Sequence, residues 1–207
     1  MKKYWKYCLL CGILCIAMIF VEYKIYEEHV QMQEELASGV LRLHIRADSD
    51  EKEAQMLKLK VRDAIIAQLE TYKDEMTDVQ TSADVIRMHM EDIKNAACAE
   101  ALKSGQNESV DVSLGQTWFP EKSYGDVILP EGDYTALIVK IGSGQGKNWW
   151  CVLFPQLCFI NPGQGYVPEE GKDALKAQLS ESTYEGIIDQ RVEAKFRVVE
   201  WIQKLYE

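Results

Sequence analysis

The feature that most constrains this chain is an apolar run near its N-terminus. Tyr7–Val21 is a stretch of fifteen residues without a charge, and Lys2, Lys3 and Lys6 lie directly ahead of it. A basic start followed by about 7–15 apolar residues is typical of a secretory signal peptide, whereas a helix that spans a bilayer needs about 20 apolar residues. Both interpretations therefore stay open. In either case the positive flank stays in the cytoplasm, and we expect the rest of the chain to be exported.

The end of the apolar run favours an anchor that is not cleaved. Signal peptidase sites need small residues, and Ala17 is the only small residue in the last six positions of the run. The charged residues that follow contain neither proline nor glycine as far as Leu36, which predicts a helical stalk. We therefore divide the chain into a signal peptide or signal anchor over residues 1–21, a helical stalk or linker over 22–38 and one folded domain over 39–207.

The net charge of the chain argues against a nucleic-acid partner. The sequence carries 33 acidic against 23 basic residues, a formal net charge of −10. Binding to nucleic acid through its backbone needs a basic face, so we expect no nucleic-acid partner. The apolar share of 47% is ordinary for a folded globular domain.

The first half of the domain carries one strand signal and two helix signals. Val40–Arg46 alternates apolar and polar residues, which predicts a half-buried strand with its polar side chains in solvent. Asp50 and Glu53 have the spacing of a helix N-cap and its capping-box partner, ahead of a stripe of apolar residues. A second helix is predicted to start at Thr81 and to end before Gly105, where glycine can adopt the left-handed cap.

Beyond Gly105 the apolar period changes from 3.6 to 2, which predicts a series of strands. The order of a strand, two helices, a run of strands, a helix and a last strand is typical of a segregated α+β domain, here with a mostly antiparallel sheet packed by helices. Trp149–Phe154 is apolar on both faces and is predicted to be a central strand. The later elements expected are strands at Val110–Leu114, Val127–Leu129, Tyr134–Val139 and Val192–Val198, a helix at Glu169–Leu179 and a closing helical turn at Glu200–Tyr206.

No stretch of the sequence assembles a recognisable catalytic, metal or cofactor site. Gly142–Asn148 lacks the spacing of a phosphate-binding loop and joins two strands rather than a strand and a helix, so we expect a hairpin loop. Asp48–Glu51 does not continue as a calcium loop. The histidines His29, His44 and His89 have no nucleophile signature near them. We expect no enzyme activity and no cofactor.

The cysteines of the exported part favour one disulfide pairing. Cys98, Cys151 and Cys158 are three in number, so at most one internal disulfide can form. Cys151 and Cys158 are the likelier pair, because a proline-containing turn separates them. A zinc site is a weak alternative, since the exported part of the chain contains no CxxC motif.

Trp149 and Trp150 belong to the densest aromatic cluster in the sequence. An apolar strand of this kind is typically core, but tryptophan is also enriched at the centres of protein interfaces. The flanking glycine-rich loop and proline turn should lie at the edge of the domain. Both interpretations can hold together, with the strand buried and its ends exposed.

Two stretches of the chain, Leu41–Ala64 and Trp118–Ile160, resemble the stage II sporulation protein R family. The segment GKNWWCVLFP, Gly146–Pro155, closed by Leu157–Phe159, is the most specific part of the resemblance. Members of the family often carry a second proline where this chain has Gln156, a mild departure that loosens the expected turn.

The resemblance implies a signal rather than a catalyst. Family members are made in the forespore, exported into the space between the two septal membranes, either anchored or secreted, and needed to activate a membrane-embedded aspartic protease receptor of the mother cell. That protease then processes the precursor of a sigma factor. On this basis the candidate partner-binding residues are Lys147, Asn148, Trp149 and Trp150, with Cys151 and Cys158 fixing the turn beside them.

Two other functions stay open at this stage. The first is an envelope hydrolase whose catalytic carboxylates come from Asp48, Asp50 or Glu53. The second is a septal protein that binds peptidoglycan.

Overall fold

The computed structural model describes residues 5–105, 108–160 and 167–188. The strand and helical turn expected at Val192–Val198 and Glu200–Tyr206 lie outside these residues. The helices are α1 Trp5–Gly39, α2 Lys52–Glu70, α3 Val79–Met88, α4 Met90–Lys103, α5 Leu157–Ile160, α6 Glu169–Gln178 and α7 Glu181–Ile187. The strands are β1 Leu41–Arg46, β2 Val110–Phe119, β3 Lys122–Tyr124, β4 Val127–Leu129, β5 Gly132–Ile141 and β6 Asn148–Phe154.

Among the described residues, the main sheet has four strands in the order β2-β5-β1-β6, and β3 and β4 form a separate antiparallel pair. The sheet is mixed, because β1 runs parallel to β5 while β6 and β2 are antiparallel to their neighbours. The α+β class expected from the sequence is confirmed. The parallel pair at the centre is possible because α2, α3 and α4 carry the chain back between β1 and the later strands.

The domain packs an apolar layer on each face of the sheet. On one face, Leu43 and Ile45 of β1 and Leu137 of β5 pack with buried side chains of α2, α3 and α4. On the other face, Val152 of β6 packs in a second cluster with the C-terminal end of α1, the β3–β4 pair, α6 and α7. Both faces of β1 are therefore covered.

The prediction of a half-buried β1 was therefore wrong. Arg42 is completely buried and His44 is 2% exposed, although both lie on the polar side of the alternating pattern. Alternation shows that the two faces of a strand differ in polarity, but it does not show whether the polar face reaches water.

The prediction that Trp149–Phe154 is a central strand was also wrong for the sheet formed by the described residues, in which β6 lies at one end and β1 separates it from β5. The connection from Ile141 to Asn148 is consequently not a hairpin loop. It crosses the C-terminal end of β1 before the chain enters β6. A local pattern cannot reveal this arrangement, because the intervening strand comes about a hundred residues earlier in the chain.

The helical region after α2 is divided in two. Asp78, rather than Thr81, caps α3, and its Oδ1 accepts a hydrogen bond of 2.7 Å from the Thr81 backbone N–H. His89 ends α3 and precedes α4. Gly105 follows α4 with a φ of +70°, the left-handed conformation that glycine adopts at low cost.

Helix α1 continues from the apolar run through the expected stalk and into the domain. Its apolar side chains are more than half exposed at Ile19, Phe20 and Val21, and three successive helical residues point in three different directions. Leu36, near the other end, is completely buried. Within the described part of the chain, no helix combines the length and the apolar character needed to cross a membrane.

Glu35 attaches the C-terminal end of α1 to the start of α7. Its carboxylate accepts hydrogen bonds from the backbone N–H and the hydroxyl of Ser180 and from the hydroxyl of Thr183. The bond from Thr183 is the main cause that lowers the pKa of Glu35. The last turns of α1 are thus fixed to the domain by polar contacts as well as by burial.

Candidate partner-binding site

The four predicted partner-binding residues lie together at the N-terminal end of β6. Lys147 and Asn148 are exposed, whereas Trp149 and Trp150 are half-buried. Because neighbouring side chains of a strand point to opposite faces, the two tryptophans do not form one flat surface. Each packs on a different layer of the domain.

Trp150 packs on the face that carries the polar residues of β1. Its ring stacks on His44, with centroids 3.7 Å apart and an interplanar angle of 18°. The ring of Phe119 lies 4.7 Å away, and the Lys122 ammonium lies 5.8 Å from the ring centroid of Trp150. The strand register explains the stack, since His44 and Trp150 are directly opposite each other on β1 and β6.

Trp149 packs on the helical layer. The guanidinium of Arg62, on α2, lies 4.3 Å from its ring centroid, a distance suited to a cation–π contact. The indole Nε1 of Trp149 is buried and has no hydrogen-bond acceptor among the described residues. Each tryptophan thus has a cation over its ring.

Asn148 links the site to the buried histidine. Its Oδ1 lies 3.0 Å from Nε2 of His44, and an amide oxygen can only accept, so Nε2 carries the proton. Burial is the main cause that lowers the pKa of His44 to about 4. His44 is therefore neutral at pH 7, and its Nδ1 is buried without a partner among the described residues.

The loop that leads into the site is held by the segment between β1 and α2. The backbone N–H of Ser143 donates to Oδ1 of Asp48 at 2.6 Å, and that of Lys147 donates to Oδ1 of Asp50 at 2.7 Å. The Ser143 hydroxyl also donates to the Asp48 carbonyl at 2.7 Å. We call these two facing segments, residues 48–50 and 142–147, the loop clasp.

The two segments of the loop clasp approach each other too closely to leave room for a side chain at Gly146. A Cβ at this position would overlap the backbone carbonyl of Ser49, and the Gly146 N–H donates to the carbonyl of Ala47 at 2.8 Å. From the other side, Nζ of Lys58 on α2 donates to the carbonyl of Lys147 at 3.0 Å. The backbone of Lys147 is therefore held on both sides, and Asn148 follows it as the first residue paired with β1.

The capping box predicted at Asp50 and Glu53 was wrong. Glu51 is the N-cap residue of α2, and its side chain makes no capping hydrogen bond. The Asp50 carboxylate instead accepts a hydrogen bond from the Lys147 backbone N–H. The Ser143 backbone N–H is the main cause that lowers the pKa of Asp48. Glu53 is exposed in the first turn of α2. Of the three carboxylates proposed for a hydrolase, Asp48 and Asp50 accept hydrogen bonds from the loop before β6, and Glu53 faces solvent.

Arg42 is a feature that the sequence did not reveal. Its guanidinium lies 4.0 Å from the ring centroid of Phe119 and 4.8 Å from that of Tyr134, and its Nη2 donates to the Tyr124 hydroxyl at 2.9 Å. Its Nε and Nη1 are buried without a hydrogen-bond partner among the described residues. Burial raises the pKa of the Tyr124 phenol, against the opposing effect of Arg42.

The cysteines beside the site are paired across a turn. Cys151 of β6 and Cys158 of α5 form a disulfide with their Cα atoms 6.0 Å apart. Cys98 is a partly buried free thiol on α4. Among the residues that the structure describes, no group of three or more histidine, cysteine, aspartate or glutamate side chains is arranged to hold a metal ion.

These observations describe an α+β domain in which polar and aromatic contacts hold the N-terminal end of β6 and the loop before it. The family model for stage II sporulation protein R matches residues 37–164. Stage II sporulation protein R of Bacillus subtilis (strain 168) is 35% identical over 182 residues, which cover 80% of this chain and 81% of that protein. The chain belongs to the stage II sporulation protein R family. No solved structure matches it.

Proposed function

We propose that this protein is an exported sporulation signal that activates a membrane-embedded aspartic protease of the mother cell, so that a sigma-factor precursor is processed. Membership of the stage II sporulation protein R family, with its 35% identity to the Bacillus subtilis protein, is the observation that carries the proposal. The forespore is the proposed source, and the space between the two septal membranes is the proposed place of action.

Export is the first step of the proposal, and helix α1 supports it. Its exposed apolar residues need an apolar environment, such as a bilayer or a protein-conducting channel, to be covered. The basic residues ahead of the apolar run set the orientation of α1 in the membrane, because positively charged flanks stay in the cytoplasm. The acidic domain would then lie on the opposite side of the membrane.

Activation requires that the protein bind the active form of the protease more tightly than the inactive form. A ligand shifts a conformational equilibrium only by the difference between its affinities for the two states. Lys147, Asn148, Trp149 and Trp150 are the proposed contacts. The loop clasp holds the backbone of Lys147, and the other three residues pair with β1. The two tryptophan rings are packed, so little conformational entropy is lost when a partner binds.

The proposal is tested by genetic replacement in the sporulating organism. Deleting the gene should leave the sigma-factor precursor unprocessed, and the full chain expressed in the forespore should restore processing. A chain with Lys147→Glu and Asn148→Asp should accumulate to a normal level without restoring processing. Normal processing in the deletion strain would end the proposal.

A second set of variants separates a signal from a hydrolase. In the chain with Asp48→Asn, Asp50→Asn and Glu53→Gln, each amide oxygen can still accept a backbone hydrogen bond, but no carboxylate remains for acid–base catalysis. A signal with these changes should retain most of its activity. Complete loss of function, with normal folding and export, would favour the hydrolase.

A further inference from the structure

Strand β6 lies at one end of the sheet formed by the described residues. Among those residues, β1 is the strand that pairs with it, and no strand pairs with its other side. In an antiparallel pair, residues alternate between those that hydrogen-bond to the neighbour and those that do not. Alternate residues at the N-terminal end of β6 therefore direct their N–H and C=O groups away from the sheet.

The two edges of the sheet differ in how well they are protected against strand pairing. Natural edge strands are often protected by charged residues, proline or a very short length. Strand β2, at the other end, carries Asp111 and a series of polar residues on its exposed side. Strand β6 has neither a charge nor a proline between Asn148 and Phe154. An unprotected apolar edge of this kind is suited to pairing with another strand.

Both basic and acidic side chains lie around this edge, since Asp50 accepts a hydrogen bond from the Lys147 backbone N–H and Asp63 forms an ion pair of 2.7 Å with Arg62. The chain has a net charge of −10, yet basic side chains lie on both sides of the first residues of β6. Arg62 lies over Trp149 and Lys122 lies near Trp150, one on each face of the sheet. Arg46 is opposite Asn148 on β1, and Lys147 is exposed directly before the strand.

We propose that the open edge of β6, residues 148–151, takes up an extended acidic segment of the partner as a fifth strand of the sheet. The proposal rests on the proposed function, since the segment would belong to the protease receptor. Backbone hydrogen bonds supply binding that depends little on sequence, as in other cases of strand addition. The two tryptophans supply apolar contacts, and the exposed Lys147 together with Lys122 selects a segment rich in aspartate or glutamate.

Hydrogen exchange tests the strand addition directly. The full chain, held in detergent micelles, is mixed with membrane vesicles that carry the aspartic protease, and amide exchange is followed by mass spectrometry. In the free chain, some amides of residues 148–151 should exchange quickly. In the complex they should exchange at least about tenfold more slowly, whereas the amides of β2, the other edge strand, should not change.

Each alternative occupant gives a result that overturns the proposal. If all β6 amides are already slow in the free chain at every protein concentration, the edge is paired within the molecule. If they slow with protein concentration alone, a second copy takes the edge. Protection by isolated wall sacculi points to peptidoglycan, and protection of β2 instead of β6 points to the opposite edge.

A charge reversal tests the chemistry of the segment. Lys147→Glu combined with Lys122→Glu should weaken binding to the same vesicles by about tenfold or more and should reduce its dependence on salt. Lys60→Glu combined with Lys103→Glu is the matched control, because these two exposed lysines lie on α2 and at the end of α4 and give the same charge change; the affinity of this variant should stay within about twofold. Equal losses in both variants would contradict a specific acidic segment.

Failure of this inference can be told apart from failure of the proposed function. If the chain does not sediment with the protease-bearing vesicles at all, the proposed function fails. If it sediments with them but β6 exchanges as in the free chain, the receptor is bound elsewhere and only the strand addition is overturned.

Discussion

Trp150 on the edge strand stacks flat on His44 of the central strand, with ring centroids 3.7 Å apart and an interplanar angle of 18°. The stack joins an exposed end of β6 to the interior of the domain. It also explains why the site should be rigid, since His44 is held in turn by Asn148. A change at any of these three residues should therefore affect the other two.

We expect Trp150→Ala to lower the free energy of unfolding by about 2 kcal/mol, because the variant loses both the stack on His44 and the contact with Phe119. Trp118→Ala is the control, since Trp118 is 53% exposed on β2; its cost should stay below about 1 kcal/mol. Chemical denaturation of the two variants measures both values. Equal costs would show that the stack adds no stability.

The pH dependence of stability should report the burial of His44. Because burial lowers the pKa of His44 from 6.5 to about 4, the unfolded chain binds a proton there at a pH where the folded chain does not. Its contribution to the free energy of unfolding is full above pH 6.5 and decreases as the pH falls from 6.5 towards 4.

The variant His44→Gln provides the comparison for this pH effect. Its free energy of unfolding should depend less on pH than that of the natural chain between about pH 5 and 6.5. Carboxyl groups with lowered pKa values, such as Glu35, lose their contribution only below about 4.5. Denaturant midpoints of the natural chain and of His44→Gln are measured across this pH range. The same pH dependence in both chains would contradict a neutral buried His44.

Arg42 should be replaceable by an apolar residue of similar length. Arg42 is buried, and two of its guanidinium nitrogens have no hydrogen-bond partner among the described residues. Arginine stays charged in proteins, and burying a charge without such partners is unfavourable. Arg42→Met should therefore leave the free energy of unfolding within about 1 kcal/mol or raise it, whereas Arg42→Ala should cost about 2 kcal/mol or more through the cavity it leaves. Thermal and chemical unfolding measure both, and an equal cost would indicate an ionic partner for Arg42.

The loop clasp should depend on the absence of a side chain at Gly146. Gly146→Ala brings a Cβ against the carbonyl of Ser49, and we expect a cost of about 2 kcal/mol because backbone atoms must shift. Gly115→Ala on β2 is the control, since no atom lies within 4 Å of its added Cβ. Unfolding measurements give the stabilities, and partner binding should fall only in the first variant.

The disulfide should stabilise the domain by restricting the unfolded chain. Cys151 and Cys158 are seven residues apart, and closing so short a loop is worth about 2.5 kcal/mol in the chain-entropy model. The double variant Cys151→Ser with Cys158→Ser should lose this amount in unfolding experiments under oxidising conditions. Cys98→Ser should lose less, and a reducing agent should destabilise the natural chain but not the double variant.

The sequence by itself determined those properties that depend on local patterns. The apolar run behind three lysines, helices α2 and α6, the period-two strands β2, β4 and β5 and the α+β class were all visible in residues close together in the chain. The resemblance to the sporulation family was also visible, because it rests on short specific segments such as Gly146–Pro155. Local conformational preference and apolar period suffice for such features.

Only the tertiary structure decided which strand lies at the centre of the sheet. The pattern of β6 is that of a buried strand and the pattern of β1 is that of a half-exposed one, yet their positions are the reverse. Burial of Arg42 and His44 depends on aromatic residues that lie far along the chain and meet them only after folding. Pairing between distant strands is set by how all the apolar faces can be covered at once, and no local stretch of sequence contains that information.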